Sequence, residues 1–203
     1  MQREFEAFVK SPTRAKFFAA RQSFCSRDSR LVTLDDLERL SMLLDELDFV
    51  GVRESLVALP PLAALSPRVH FFAAEAAAGL GDVEDCLLER FLYATCVRGL
   101  VGTGSGFAKR PFVVSAPSDI LDILDFLQET AVSRTLIEQD QRLCDVVTIA
   151  SGREVWFDVG WLSLQRPART IVRQIAVTST RPARKRAKKR TPRRVTAVSR
   201  TLR

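Results

Sequence analysis

The chain has 203 residues, of which 46% are hydrophobic, enough to bury a core and too many for a wholly disordered polypeptide. Its net charge of +7 conceals a division: residues 1–158 carry 17 basic and 24 acidic side chains, while residues 159–203 carry 14 basic ones and no acid. The excess positive charge therefore belongs to the C-terminal end, and the body ahead of it is acidic.

No stretch approaches the roughly 18 uninterrupted apolar residues of a membrane helix. The opening residues alternate charge with Phe and lack the apolar run of a secretory signal. A cytoplasmic protein without membrane insertion is expected. Cys25, Cys86, Cys96 and Cys144 show no CxxC spacing, and His70 is the only imidazole. That pattern does not supply a zinc site, and reduced, buried thiols are expected.

Phe5 and Phe8, three apart, predict a short opening helix. Ser11-Pro12 predicts the next start, with Ser as N-cap and Pro in the first turn, followed by Phe17, Phe18 and Phe24. The Phe-rich N-terminus is expected to fill one end of a helical stack. A repeat comes next. "TLDDLERLSMLLDELDFVGVRESL" from Thr33 and "PRVHFFAAEAAAGLGDVEDCLLER" from Pro67 align at an offset of 34, with Leu47-Asp48-Phe49 falling on Gly81-Asp82-Val83 and Val52 on Cys86. Each unit predicts a helix, a tight turn containing Asp, and a second helix. Thr33 with Asp36 makes a capping box, Ser66-Pro67 a cap with a first-turn proline, and Gly81 a left-handed helix end. A helix–turn–helix period of 34 is the tetratricopeptide signature, although the early bulky aromatic is replaced by Asp36 and His70.

Beyond "VRGLVGTGSGFAKRP" the period changes. "PFVVS" predicts a strand. In "SDILDILDFLQE" one face holds Ile120, Ile123, Leu124 and Leu127, with Asp119, Asp122, Asp125 and Glu129 pointing away. "RTLIEQ", "RLCDVVTI" and "REVWFDVGW" predict strands, with Ala150-Ser151-Gly152 as a hairpin connection. From Arg181 onward the chain is Lys and Arg interleaved with Ala, Pro and Thr, which cannot build a core and predicts disorder.

Thr103-Gly104-Ser105-Gly106, Pro111, Leu136, Asp145 and the Phe157-Asp158 pair, in this order behind repeat-like helices, resemble a bacterial family known only as a domain of unknown function. The resemblance spans roughly residues 35–162 and implies tetratricopeptide-type helices running into a small sheet. It implies no activity. Ser105 and Arg134 depart from that family's more usual Asp and Gln, and the basic tail lies outside the resemblance.

Four features invite functional readings. "GTGSGFAKR" suggests a phosphate loop, but a helix precedes it, a strand follows, and no GK[ST] ending is present, so a helix-ending glycine loop is expected. Glu138, Asp145, Glu154 and Asp158 lie on neighbouring predicted strands. Paired, they could hold a metal or act as acid and base. His70 is expected to be a packing or surface residue, since one imidazole does not assemble a catalytic triad. Arg181, Arg184, Lys185, Arg186, Lys188, Lys189, Arg190, Arg193 and Arg194 form a phosphate-neutralising segment that would bind nucleic acid or another polyanion without reading its sequence.

The expectation is an α+β chain. Tetratricopeptide-like helical hairpins occupy residues 1–101, a small mixed β-α-β-β-β unit 102–162, and a disordered basic tail 163–203. Functionally it predicts a non-catalytic protein-interaction module, with a protein partner in the helical groove and nucleic acid or another polyanion on the tail. No cofactor, metal-binding or catalytic residue is assigned. The rival readings are a metal-dependent enzyme using strand carboxylates, and a stable domain with an inert tail.

Overall fold

Helix boundaries follow the local chemistry of the chain. The computed structural model describes residues 3–28, 30–139 and 141–160. Helix α1 (Arg3–Lys10) is followed by α2 (Arg14–Arg27). The start of α2 is later than Ser11-Pro12 predicts. The Ser11 N–H closes back on Phe8 O at 3.1 Å, so Ser11 finishes the first helix, and Thr13 caps the second by accepting the Lys16 N–H. Helix α3 (Leu34–Asp45) opens on the expected capping box: the Thr33 hydroxyl accepts the Asp36 N–H at 3.1 Å, and the Asp36 carboxylate accepts the Thr33 N–H at 2.8 Å.

Helices α3 and α4 (Phe49–Val57) form one hairpin, and α5 (Pro67–Gly79) and α6 (Val83–Gly102) a second, joined by a 3-10 turn (Pro61–Leu65). The 34-residue offset survives in atomic detail. Asp48 N–H reaches Leu43 O and Asp82 N–H reaches Ala77 O, both at 2.8 Å, closing the same six-residue helix end. Asp48 then caps α4 through the Gly51 N–H, and Asp82 caps α6 through the Asp85 N–H. Val52 and Cys86, the aligned pair that follows, are both buried. Ser66 sits at the N-cap of α5 as expected, yet its hydroxyl makes no capping bond and is buried without a partner.

Helix α5 packs on both α3 and α4, and α7 (Asp119–Phe126) packs in the same way on α5 and α6. It also ends in the same manner, with Gln128 at φ 58° and the Glu129 N–H bonded to Leu124 O at 2.9 Å. Where the earlier units turn into a second helix, the chain here enters a strand.

The sheet holds β1 (Phe112–Val113), β2 (Ala131–Gln139), β3 (Arg142–Ile149) and β4 (Glu154–Asp158) in the order β1-β4-β3-β2. Strand β1 runs parallel to β4, and the other pairings are antiparallel. Only two residues of the predicted "PFVVS" strand pair, because β4 ends at Asp158 opposite Val113. Register places Asp145 opposite Phe157 and Leu136, and Val147 opposite Val155. These residues share the face that meets the helices.

Two apolar cores result. One lies within the hairpins and gathers Leu37, Leu40, Val52, Val69, Phe72 and Ala76. The other joins Phe5, Phe8, Phe17 and Phe24 to Leu100, Ile123, Val147 and Phe157. The N-terminal phenylalanines pack on α6, the last helix of the hairpins, and join the core shared with the sheet. Gly99 makes this approach feasible: a Cβ there would stand 2.5 Å from the Phe8 ring and 2.8 Å from that of Phe17. All four cysteines are free; Cys86, Cys96 and Cys144 are buried as expected, whereas Cys25 is exposed. Among the described residues no helix is long and apolar enough to cross a membrane.

Candidate functional site

The segment Arg181, Arg184, Lys185, Arg186, Lys188, Lys189, Arg190, Arg193 and Arg194 lies outside the described residues. The four strand carboxylates are described, and the sheet separates them. Asp145 faces the helices beside Leu136, and Arg134 engages one of its oxygens in a charge-assisted pair. Asp158 pairs with Cys144 and so faces the opposite side, where it accepts the Gly160 N–H at 2.9 Å. Glu138 shares the side of Asp145, and Glu154 that of Asp158. Among the described residues no group of three or more His, Cys, Asp or Glu side chains is placed to hold a metal ion.

The glycine loop is stitched to itself and to the sheet. Thr103 caps α6 and donates its hydroxyl to Leu100 O at 2.6 Å, while accepting the Val113 N–H at 2.8 Å. A Cβ on Gly104 would stand 2.1 Å from Pro111 O, so only glycine fits. The Ser105 N–H is bonded to Arg110 O, and the Gly106 carbonyl receives the Trp156 N–H. The loop closes α6 and continues the edge of β4, in keeping with the helix-ending reading.

On that outer side the half-buried Trp156 lies in a recess with Ala108, Lys109, Gln139, Arg142 and Cys144. Phe107, Arg110 and Arg153 extend the same surface. Lys109, Arg110 and Arg142 thus stand near two aromatic rings on the face where β4 runs out toward Gly160, with Glu154 on the same surface and Arg153 paired to Glu129.

His70 is buried between α5 and α6. Its Nδ1 lies 2.6 Å from a Glu89 oxygen and its Nε2 3.0 Å from Ala64 O. Both partners only accept, so both ring nitrogens must donate and the ring is an imidazolium. Burial opposes that charge, but the Cys96 side chain, the Glu89 carboxylate and the Ala64 carbonyl outweigh it and lift the pKa to about 10. Cys96 is fully buried, and its thiol also points to Ala64 O. A Cys, a His and a Glu therefore meet in one buried cluster, with the two ring nitrogens held by Glu89 and Ala64. The cluster fastens α6 to α5 and to the turn before it.

The least expected group is on α7. Asp119 and Asp122, predicted to point away from the core, are both fully buried. Helix α7 is wedged between the hairpins and the sheet, so a face that would be solvated on a surface helix is covered. One oxygen of Asp119 accepts the Ser115 and Ala116 N–H groups at 2.5 and 2.8 Å, gathering the loop that enters the helix. Burial raises its pKa to about 7 despite those bonds. Asp122 accepts from Arg68 at 2.5 Å, and burial raises it to about 6 against the pull of Arg68. The second oxygens of both, with the hydroxyls of Ser66, Ser115 and Ser118, are buried without a protein partner. This seam ties α5 to α7 and to the loop that enters it.

No protein-family profile, curated protein or solved structure matches the chain.

Proposed function

We propose that this protein is a non-catalytic interaction module. Its tetratricopeptide-like hairpins take a protein partner, and its cationic end attaches it to nucleic acid or a similar polyanion. The family of unknown function that residues 35–162 resemble would share the hairpin-and-sheet plan. The observation that carries the polyanion reading is a juxtaposition. Lys109, Arg110 and Arg142 surround Phe107 and Trp156 on the outer side of the sheet. The described chain leaves β4 on its way to an acid-free segment with 14 basic residues. Cations with interleaved aromatics suit a phosphate backbone with exposed bases, and a pure tail adds sequence-blind attraction. Among the described residues, the burial of the His70–Glu89 and Arg68–Asp122 pairs supports the non-catalytic half of the reading.

If about 6–8 phosphates are contacted, log K for duplex DNA should fall with log salt at a slope of about −5 to −7. The test compares the full chain with one lacking residues 165–203 on immobilised DNA and RNA at two salt concentrations. Loss of salt-sensitive retention on deletion supports the reading. Retention unchanged by the deletion removes the tail from it.

A further inference from the structure

Helix α6 is apolar on two sides. Its inner side carries Cys86, Leu92, Cys96 and Leu100 into the cores, as a packed helix should. Its outer side carries Val83, Leu87, Leu88 and Phe91 at 68, 62, 48 and 51% exposure. A surface helix ordinarily keeps that side polar. In a longer stack the next unit would cover it. Here α7 is only eight residues long and borders the C-terminal half alone, where Asp125 and Phe126 form a recess with Tyr93, Ala94, Val97 and Arg98.

The outer side has an internal symmetry. Glu84, Leu87, Phe91, Ala94 and Arg98 follow at spacings of three, four, three and four, which is a single seam along the helix. Glu84 and Arg98 stand equally far on either side of Phe91. They carry opposite charge, both are exposed, and neither is in a salt bridge among the described residues. A seam whose two halves are complementary through its centre fits a two-fold axis, because an isologous contact sets each residue against its mirror position.

We propose that two copies of this chain pair through α6, antiparallel, with Phe91 at the two-fold axis. That alignment sets Glu84 of each copy against Arg98 of the other. It also brings each Leu87 to within one residue, about 1.5 Å along the axis, of the small Ala94, beside the recess that Phe126 borders. The second copy supplies the cover that α7 is too short to give. Pairing goes beyond the reading of the tail and does not rest on it. It would place two basic segments on one particle and raise their joint hold on a polyanion by effective concentration.

The experiment is light scattering after size exclusion on the full chain, without nucleic acid, over a micromolar to millimolar dilution series. The expected mass is twice the chain mass of 22.7 kDa. Phe91→Asp should return it to the single-chain value with an unchanged helical circular-dichroism spectrum. Should that variant not fold, the exposed charges decide. Glu84→Arg or Arg98→Glu alone should weaken pairing at least tenfold, and the two together should restore it to within a few-fold. A wild-type chain that stays single throughout overturns the proposal. So does a dimer indifferent to Phe91→Asp, or a double charge reversal no stronger than its parents.

Discussion

Leu47 and Gly81, aligned at the 34-residue offset, hold the same left-handed backbone, with φ of 58° and 75°. The conformation is nearly free for glycine and costs an L-residue about 1–2 kcal/mol. Leu47 is 70% exposed, so its side chain returns little of that cost. Leu47→Gly should therefore stabilise the fold by about 0.5–1 kcal/mol, net of the extra freedom gained by the unfolded chain. A Cβ on Gly81 would meet nothing within 4 Å. Gly81→Ala should cost about 1 kcal/mol through the backbone alone. Urea denaturation of both variants at unchanged m-value is the measurement.

The pair Arg68–Asp122 joins the second hairpin to α7. Asp122 is fully buried and Arg68 about a quarter exposed. Arg68→Met should destabilise by about 3 kcal/mol, since it strands a buried carboxylate. Adding Asp122→Leu should recover most of the loss, because the charge that needed a partner is gone. A double variant as unstable as Arg68→Met would show that the arginine acts by packing.

Asp119 sets a pH dependence. Its carboxyl titrates at about 7 in the folded chain against 3.8 for the free group, with burial as the main cause. Between those values the native state holds a proton that the unfolded state has released, so stability falls as pH rises through this window. Asp122, at about 6, adds in the same sense. Asp119→Asn keeps an acceptor for the Ser115 and Ala116 N–H groups and removes the charge. Its melting temperature should vary less than wild type between pH 4 and 7, and should exceed it at pH 7.5.

His70 is the only histidine, so its ring resonances need no assignment. With its pKa lifted to about 10, the native ring should show no titration between pH 6 and 8 in proton NMR. The native state keeps this proton where the unfolded chain loses it, so the stability it lends is present below about 6.5 and declines toward pH 10. Glu89→Gln removes one stabilising partner and should bring the titration down toward neutrality.

Much of the helical half is legible in the chain because capping is local. Thr33 with Asp36, Asp48 and Asp82 each bond within three residues, and the left-handed Gly81 closes its own helix. The strands follow from the alternation of apolar and polar residues. What escapes is set by tertiary cover. Asp119 and Asp122 look outward on a helical wheel, and nothing nearby announces that α7 is enclosed on both flanks. The signal that could have served is Asp122's potential partner Arg68, far along the chain. Asp145 stands out as an acid in an apolar strand, but its tie to Arg134 requires the register. His70 finds Glu89 nineteen residues on, across a hairpin whose pairing of faces only the fold supplies. The start of α2 shows the same limit at short range, where Ser11-Pro12 yields to Thr13.

The core that unites Phe5, Phe8, Phe17 and Phe24 with Val147 and Phe157 has a temporal side. The phenylalanines leave the ribosome more than a hundred residues ahead of the strands that complete their burial. At about 5–20 residues per second, the interval is on the order of ten seconds or more. Through it, the first two helices present an oily surface with no finished pocket to enter. Nascent chains should accordingly depend on a holding chaperone until β4 has emerged, and arrest before that point should yield aggregates rather than a folded N-terminal piece.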